Sequence, residues 1–196
     1  MKINELDDSI KAFKNTCFSG GAEGADRLFT LYALENNIDV VNFSFHRHKP
    51  HVPAETVLEI PQYILSDSII LKQLNIACSS LGRSVPKPSS YVYNLLARNR
   101  YQILNTERIY CIAQVVSPTQ VSGGTAWAVQ MYIDSEENPE IYCYDMYEKQ
   151  VYSYDPVLKE FVIVFEVPKP HGNWTGIGSR NASIKNMEHF RTYFKE

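Results

Sequence analysis

The chain has 196 residues, 44% hydrophobic and 21% charged, with a formal net charge of −3. That length and apolar fraction suit one domain with a real core, or one domain with a modest insertion. The negative balance offers no broad basic field to nucleic acid, and no apolar run approaches the length of a membrane span.

The N-terminal residues Met1-Lys2-Ile3-Asn4-Glu5-Leu6-Asp7-Asp8 contain no apolar signal core. Of the four cysteines, Cys17, Cys111 and Cys143 sit in apolar stretches, and no two of the four, Cys78 included, form a C-x-x-C pair. They read as buried thiols rather than a disulfide framework or zinc site, which fits a reducing cytoplasm.

Ile3, Leu6, Ile10 and Phe13 fall at helical spacing, with acids early and lysines late, and predict an amphipathic helix over 3–14. A buried strand over 16–19 runs into Gly20-Gly21, a helix follows over about 24–36, and a second strand covers 40–45. This completes a β-turn-α-β unit. Residues 46–62, rich in His and Pro, read as irregular. Helices are predicted near 65–81 and 90–104, then a strand at 108–113 and a loop over 114–122. A helix from about 125 to 134 and a strand at 140–144 make a second βαβ unit. Residues 151–154 and 161–165 flank Asp155-Pro156 as a hairpin at a sheet edge. A last strand at 174–177 leads to a helix over about 183–194. The alternation predicts one Rossmann-like α/β domain over 1–196, with a mainly parallel sheet and helices on both faces.

Three times a strand end meets a small-residue turn that opens a helix. The turns are Ser19-Gly20-Gly21-Ala22-Glu23-Gly24-Ala25-Asp26, Ser122-Gly123-Gly124-Thr125 and Gly176-Ile177-Gly178-Ser179-Arg180. Glycines permit sharp turns and close ligand approach, and helix N-termini supply N–H donors and a positive dipole end, so each turn suits a phosphate. Any one of them serves equally well as a tight βα connection. Three in one chain can converge at the carboxyl edge of a parallel sheet. None carries the Gly-Lys-Ser/Thr of a Walker loop, and none fits G-x-G-x-x-G.

The first turn, the helix segment Ala97-Arg98-Asn99 with Gln102, the Ser122–Ala126 turn and the Gly176–Arg180 segment together resemble the SLOG superfamily. That group includes the Lonely-Guy phosphoribohydrolases, the DNA-processing protein A type and small nucleotide-binding proteins of bacteria and phages. The resemblance implies a Rossmann-like fold and a nucleotide-derived ligand, such as an ADP-ribose-like molecule or a cyclic nucleotide. It implies contacts from Ser19, Gly20, Gly21, Gly24, Asp26, Arg98, Asn99, Gly123, Gly124, Thr125, Gly178, Ser179 and Arg180. The Gly176–Arg180 segment normally comes first in this group. Here it comes last, which reads as a circular permutation and places strand 174–177 beside strand 16–19. Lonely-Guy enzymes carry a glutamate after the second glycine turn. This chain has Gln130 as the nearest polar residue, and a glutamine is no general base.

The functional expectation is therefore binding, by sensing or sequestration. The alternative is N-glycosidic hydrolysis with Asp26, Glu23 or Asp145 as stand-in carboxylate. His46-Arg47-His48-Lys49-Pro50-His51 reads as a ligand-rim loop rather than a metal site, and no metal or cofactor is expected. Arg98 is expected to face the ligand, Arg100 is open between that and a surface role, and Trp127 is open between base stacking and core. The tyrosines clustered from Tyr132 to Tyr154 read mostly as sheet packing or a subunit interface, and with an exposed-looking helix pair at 65–104 they suggest a homo-oligomer.

Overall fold

A computed structural model describes residues 2–195. Its centre is an eight-stranded sheet in the order β3-β2-β1-β11-β4-β7-β8-β9. Those strands are β1 (Thr16–Ser19), β2 (Asp39–Phe45), β3 (Val57–Ile60), β4 (Arg108–Ala113), β7 (Ile141–Asp145), β8 (Gln150–Asp155), β9 (Glu160–Val164) and β11 (Trp174–Gly178). Strands β3 to β7 in that order are parallel, while β8 and β9 add an antiparallel hairpin at one edge.

The parallel strands are buried because helices cover both faces. Every residue of β1 is buried, and successive side chains divide between two cores. Phe18, Val41, Phe43, Ile109 and Cys111 face α1 (Ile3–Lys11), α4 (Ser68–Ser80), α5 (Tyr91–Ile103) and α6 (Thr125–Ser135). Cys17, Tyr110, Ile112 and Trp174 face α2 (Ala25–Glu35) and α7 (Ile184–Arg191). Helix starts follow local chemistry. Asp67 accepts from the Ile69 N–H at 2.8 Å and Ser90 from the Tyr93 N–H at 3.1 Å, each supplying a partner to a first-turn amide.

The last parallel strand lies in the middle of the sheet. Cys17 pairs with Trp174 on one side of β11, and Gly178 pairs with Ile112 on the other. The expected neighbours, strands 16–19 and 174–177, are therefore adjacent. A Cβ at Gly176 would overlap the Phe29 side chain, so a glycine there is what lets α2 lie directly on β11.

Four elements depart from the sequence expectation. Residues 46–62 are not all irregular, because Val57–Ile60 forms the edge strand β3. It is short, bracketed by Pro53 and Pro61, and buries only Ile60, so it carries no clear alternation. The 114–122 loop contains a small hairpin, β5 (Val115–Ser117) with β6 (Gln120–Val121). The C-terminal helix stops at Arg191, and β12 (Phe194–Lys195) pairs with β10 (Val167–Pro168). The exposed-looking helix pair buries Ile70, Leu74, Tyr93, Leu96 and Tyr101 in the core, α5 lying on the sheet and α4 on α5 and α6, while Ile69, Ile76, Tyr91 and Val92 stay exposed. Of the six tyrosines in the 132–154 region, Tyr132, Tyr144 and Tyr154 are buried in the core and Tyr147 is exposed. Arg100 joins this packing, clamping Asp7 of α1 with two bonds of 2.7 and 2.5 Å while its Nε donates to Gln73. All four cysteines are buried free thiols; burial pushes that of Cys17 up, and the neighbouring Cys111 thiol, then burial, pushes that of Cys143 up. Among the described residues no helix is long and apolar enough to cross a membrane.

Candidate functional site

The chain order reverses direction across β1, β11 and β4, and a crevice opens at that switch point beyond the strands' carboxyl ends. It has a volume of about 370 Å³. Nine of the residues singled out from sequence line it: Asp26, Arg98, Asn99, Gly123, Gly124, Thr125, Gly178, Ser179 and Arg180. The same crevice is walled by Ala22, Val92, Leu95, Leu96, Ser122, Trp127 and Ile177. Leu95 and Leu96 lie about one helical turn before Arg98 and Asn99, a spacing that places them on the same wall once α5 is known to face the crevice.

Four expected contacts lie behind the wall. The Ser19 hydroxyl is buried and donates to the Gly176 carbonyl at 2.6 Å. Gly20 packs on Arg98, where a Cβ would overlap the guanidinium. Gly21 faces Pro50 and Val52, and Gly24 lies against the carbonyls of Ser179 and Arg180. These residues shape the first turn and hold it against the third. The Ala25 N–H donates to the Ser179 carbonyl at 3.0 Å, and the Ser179 N–H to the Ile112 carbonyl at 2.8 Å.

At the floor, Asp26 and Arg98 form a buried pair with 3.6 Å between Oδ2 and Nη2. Asp26 also accepts from the Gly178 N–H at 3.2 Å. Arg98 donates to the Phe43 carbonyl and to Gln102 Oε1, both at 3.3 Å, and its Nε has no partner. Burial raises the Asp26 carboxyl above its ordinary range despite Arg98, and burial lowers the Arg98 guanidinium despite Asp26. Desolvation thus outweighs attraction for both members, as expected for a long, dry ion pair.

The second glycine turn is held from outside. Arg83 donates to the Gly123 carbonyl at 3.0 Å and lies 4.5 Å over the Trp127 ring, whose Nε1 meets Cys78 Sγ at 3.1 Å. Trp127 is half-buried at the crevice wall. Gly123 needs its glycine, with φ of 68°. Gly124 does not: its φ of −68° and ψ of −24° suit any residue, and a Cβ there would meet nothing within 4 Å.

No family model, no curated protein and no solved structure matches this chain.

Two of the three stand-in carboxylates, Asp26 and Asp145, have other partners. Asp145 accepts from the N–H groups of Val115, Tyr147 and Glu148, all within 3.1 Å, so it caps the turn after β7. Gln130 bonds Asp134 at 2.8 Å. Glu23 is exposed and faces the His-rich loop. Among the described residues no group of three or more His, Cys, Asp or Glu side chains is placed to hold a metal.

Within that loop His48 stacks on Phe45, with ring centroids 5.2 Å apart, and its Nδ1 lies 3.0 Å from Ser44 Oγ. Burial first, then the charges of Arg98, Arg180 and His51, hold its imidazole down at about 4. The unfolded chain therefore binds a proton at His48 that the folded chain refuses, so stability falls as pH drops from the ordinary histidine range toward 4. NMR titration of the imidazole should give a midpoint near 4, and a midpoint above about 6, close to the free-residue value, would contradict this placement.

Proposed function

We propose that the crevice binds the phosphate of a nucleotide-derived small molecule, and that the protein senses or sequesters this ligand rather than turning it over. The observation that carries the reading is Gly124. The fold gives no reason for a glycine there, and the open space beside it faces a crevice floored by a buried arginine. Close approach of a ligand to the N-terminus of α6 supplies the reason, since helix N–H groups and an arginine together suit a phosphate removed from water. An ADP-ribose-like or cyclic nucleotide fits this chemistry.

Hydrolysis is the weaker reading, because Asp26 and Asp145 are both engaged with partners and Gln130 is no base. The adjacency of β11 and β1 supports reading the chain as a circularly permuted relative of the SLOG group. A permutation keeps the site when the sheet order is kept.

Calorimetry with a nucleotide panel tests the proposal. Gly124→Val is expected to weaken binding by roughly tenfold or more, about 1.4 kcal/mol, while thermal unfolding changes little. Normal binding by this variant would reject the crevice. Native mass spectrometry of protein taken from cells separates the two readings. A nucleotide recovered intact after incubation fits binding, and release of free base fits hydrolysis.

A further inference from the structure

A second hollow, of about 210 Å³, adjoins the crevice. It shares Ala22 and Arg180 with the crevice, so Arg180 stands on the wall common to both. Its other lining includes Arg47, His48, Lys49, His51 and Glu23. Three full cations therefore meet one carboxylate, in a chain whose net charge is −3. Among the described residues none of Arg47, Lys49 and Arg180 forms an ion pair.

The loop that carries these charges is built into place. Its His51 N–H donates to the Gly21 carbonyl at 2.7 Å, tying it to the first glycine turn. The His48 N–H closes onto the Phe45 carbonyl at 2.9 Å, and Arg47 between them takes the left-handed φ of 69°. A non-glycine residue in that region is strained, so the flanking backbone bonds, rather than its own preference, set the arginine at the hollow. Like charges gathered without counter-ions repel each other, and an anion relieves the repulsion.

We infer that this hollow is a second phosphate subsite, and that the ligand of the crevice carries a diphosphate whose two groups straddle Arg180. The inference rests on the crevice being the nucleotide site. It narrows the ligand from any nucleotide to one with a pyrophosphate, such as a nucleoside diphosphate or a diphosphate-linked sugar nucleotide. Guanidinium and ammonium donors give charge-assisted bonds to each added phosphate oxygen, so the second phosphate adds affinity rather than mere bulk.

The test uses calorimetry with the 5′-monophosphates and 5′-diphosphates of the four ribonucleosides. For the base that binds best, the wild-type protein should hold the diphosphate at least about tenfold more tightly than the monophosphate. Arg47→Gln with Lys49→Gln, both exposed positions, should reduce that ratio to below about threefold. Glu23→Gln removes the opposing carboxylate and should raise it. A wild-type ratio near one, or a tenfold ratio that survives in the double variant, overturns the second subsite and leaves the crevice standing, because monophosphates still bind. If no nucleotide binds the wild-type protein at all, the crevice reading and this inference fall together.

Discussion

Arg98→Ala is expected to lower the stability of the protein by about 3–5 kcal/mol, the cost of breaking a buried ion pair from one side. Asp26 would remain in the interior with 3% exposure and no cation. The Phe43 carbonyl and Gln102 Oε1 would lose a donor at the same time. Part of this is offset because Arg98 Nε is already without a partner.

The pH dependence has a definite sign. A carboxyl whose folded pKa is raised contributes stability below its unfolded pKa and loses it as pH rises through the folded value. Asp26 is already raised by burial, and removing Arg98 removes the largest opposing influence. The deficit of the variant should therefore be largest at neutral pH and shrink on acidification toward the ordinary carboxylate range. Asp26→Asn combined with Arg98→Ala should be less damaging than the two single changes summed, by about 1–3 kcal/mol. Urea unfolding at several pH values measures all of this. A loss below about 1 kcal/mol for Arg98→Ala, the level of an exposed pair, would mean that the pair is not buried as described.

Gly24→Ala should cost a similar amount for a different reason. Gly24 has φ of 84°, where an L side chain is strained by about 1–3 kcal/mol. A Cβ there would also overlap the backbone carbonyls of Ser179 and Arg180, which cannot swing away as a side chain can. Overpacking of this kind costs about another 1–3 kcal/mol. Relief would require the first and third turns to separate, lengthening the Ala25 N–H to Ser179 carbonyl bond and widening the crevice. The variant should therefore melt earlier and also bind nucleotide less tightly, whereas Gly124→Val should affect binding alone. A Gly24→Ala protein with unchanged melting would contradict the close approach of the two turns.

The contrast between these glycines shows where sequence reasoning stops. Three glycine turns at strand ends are visible in the chain, and so is their alternation with helices. That pattern is local: apolar runs, helical spacing and turn residues act within a few neighbours. Which glycine serves the fold and which borders the open crevice is not local. Gly20 and Gly24 look as ligand-ready as Gly124 in sequence, but their missing side chains are occupied by Arg98 and by the Ser179–Arg180 backbone. Arg98 itself reads as a phosphate ligand and proves to be paired first with Asp26, a residue 72 positions earlier in the chain.

The sequence by itself determined the α/β class, the main strands and helices, the edge hairpin and the buried character of the cysteines, because hydrophobic periodicity and turn chemistry report these directly. The adjacency of β11 and β1 was also expected, from the order of the glycine motifs. Only the tertiary structure decided the rest. It put β4 on the far side of β11, made a strand of Val57–Ile60, which pairs with β2 along a sheet edge, and set the His-rich loop beside Arg180. Each of these depends on strand pairing or charge proximity between distant segments, and no local pattern encodes which distant segment will arrive.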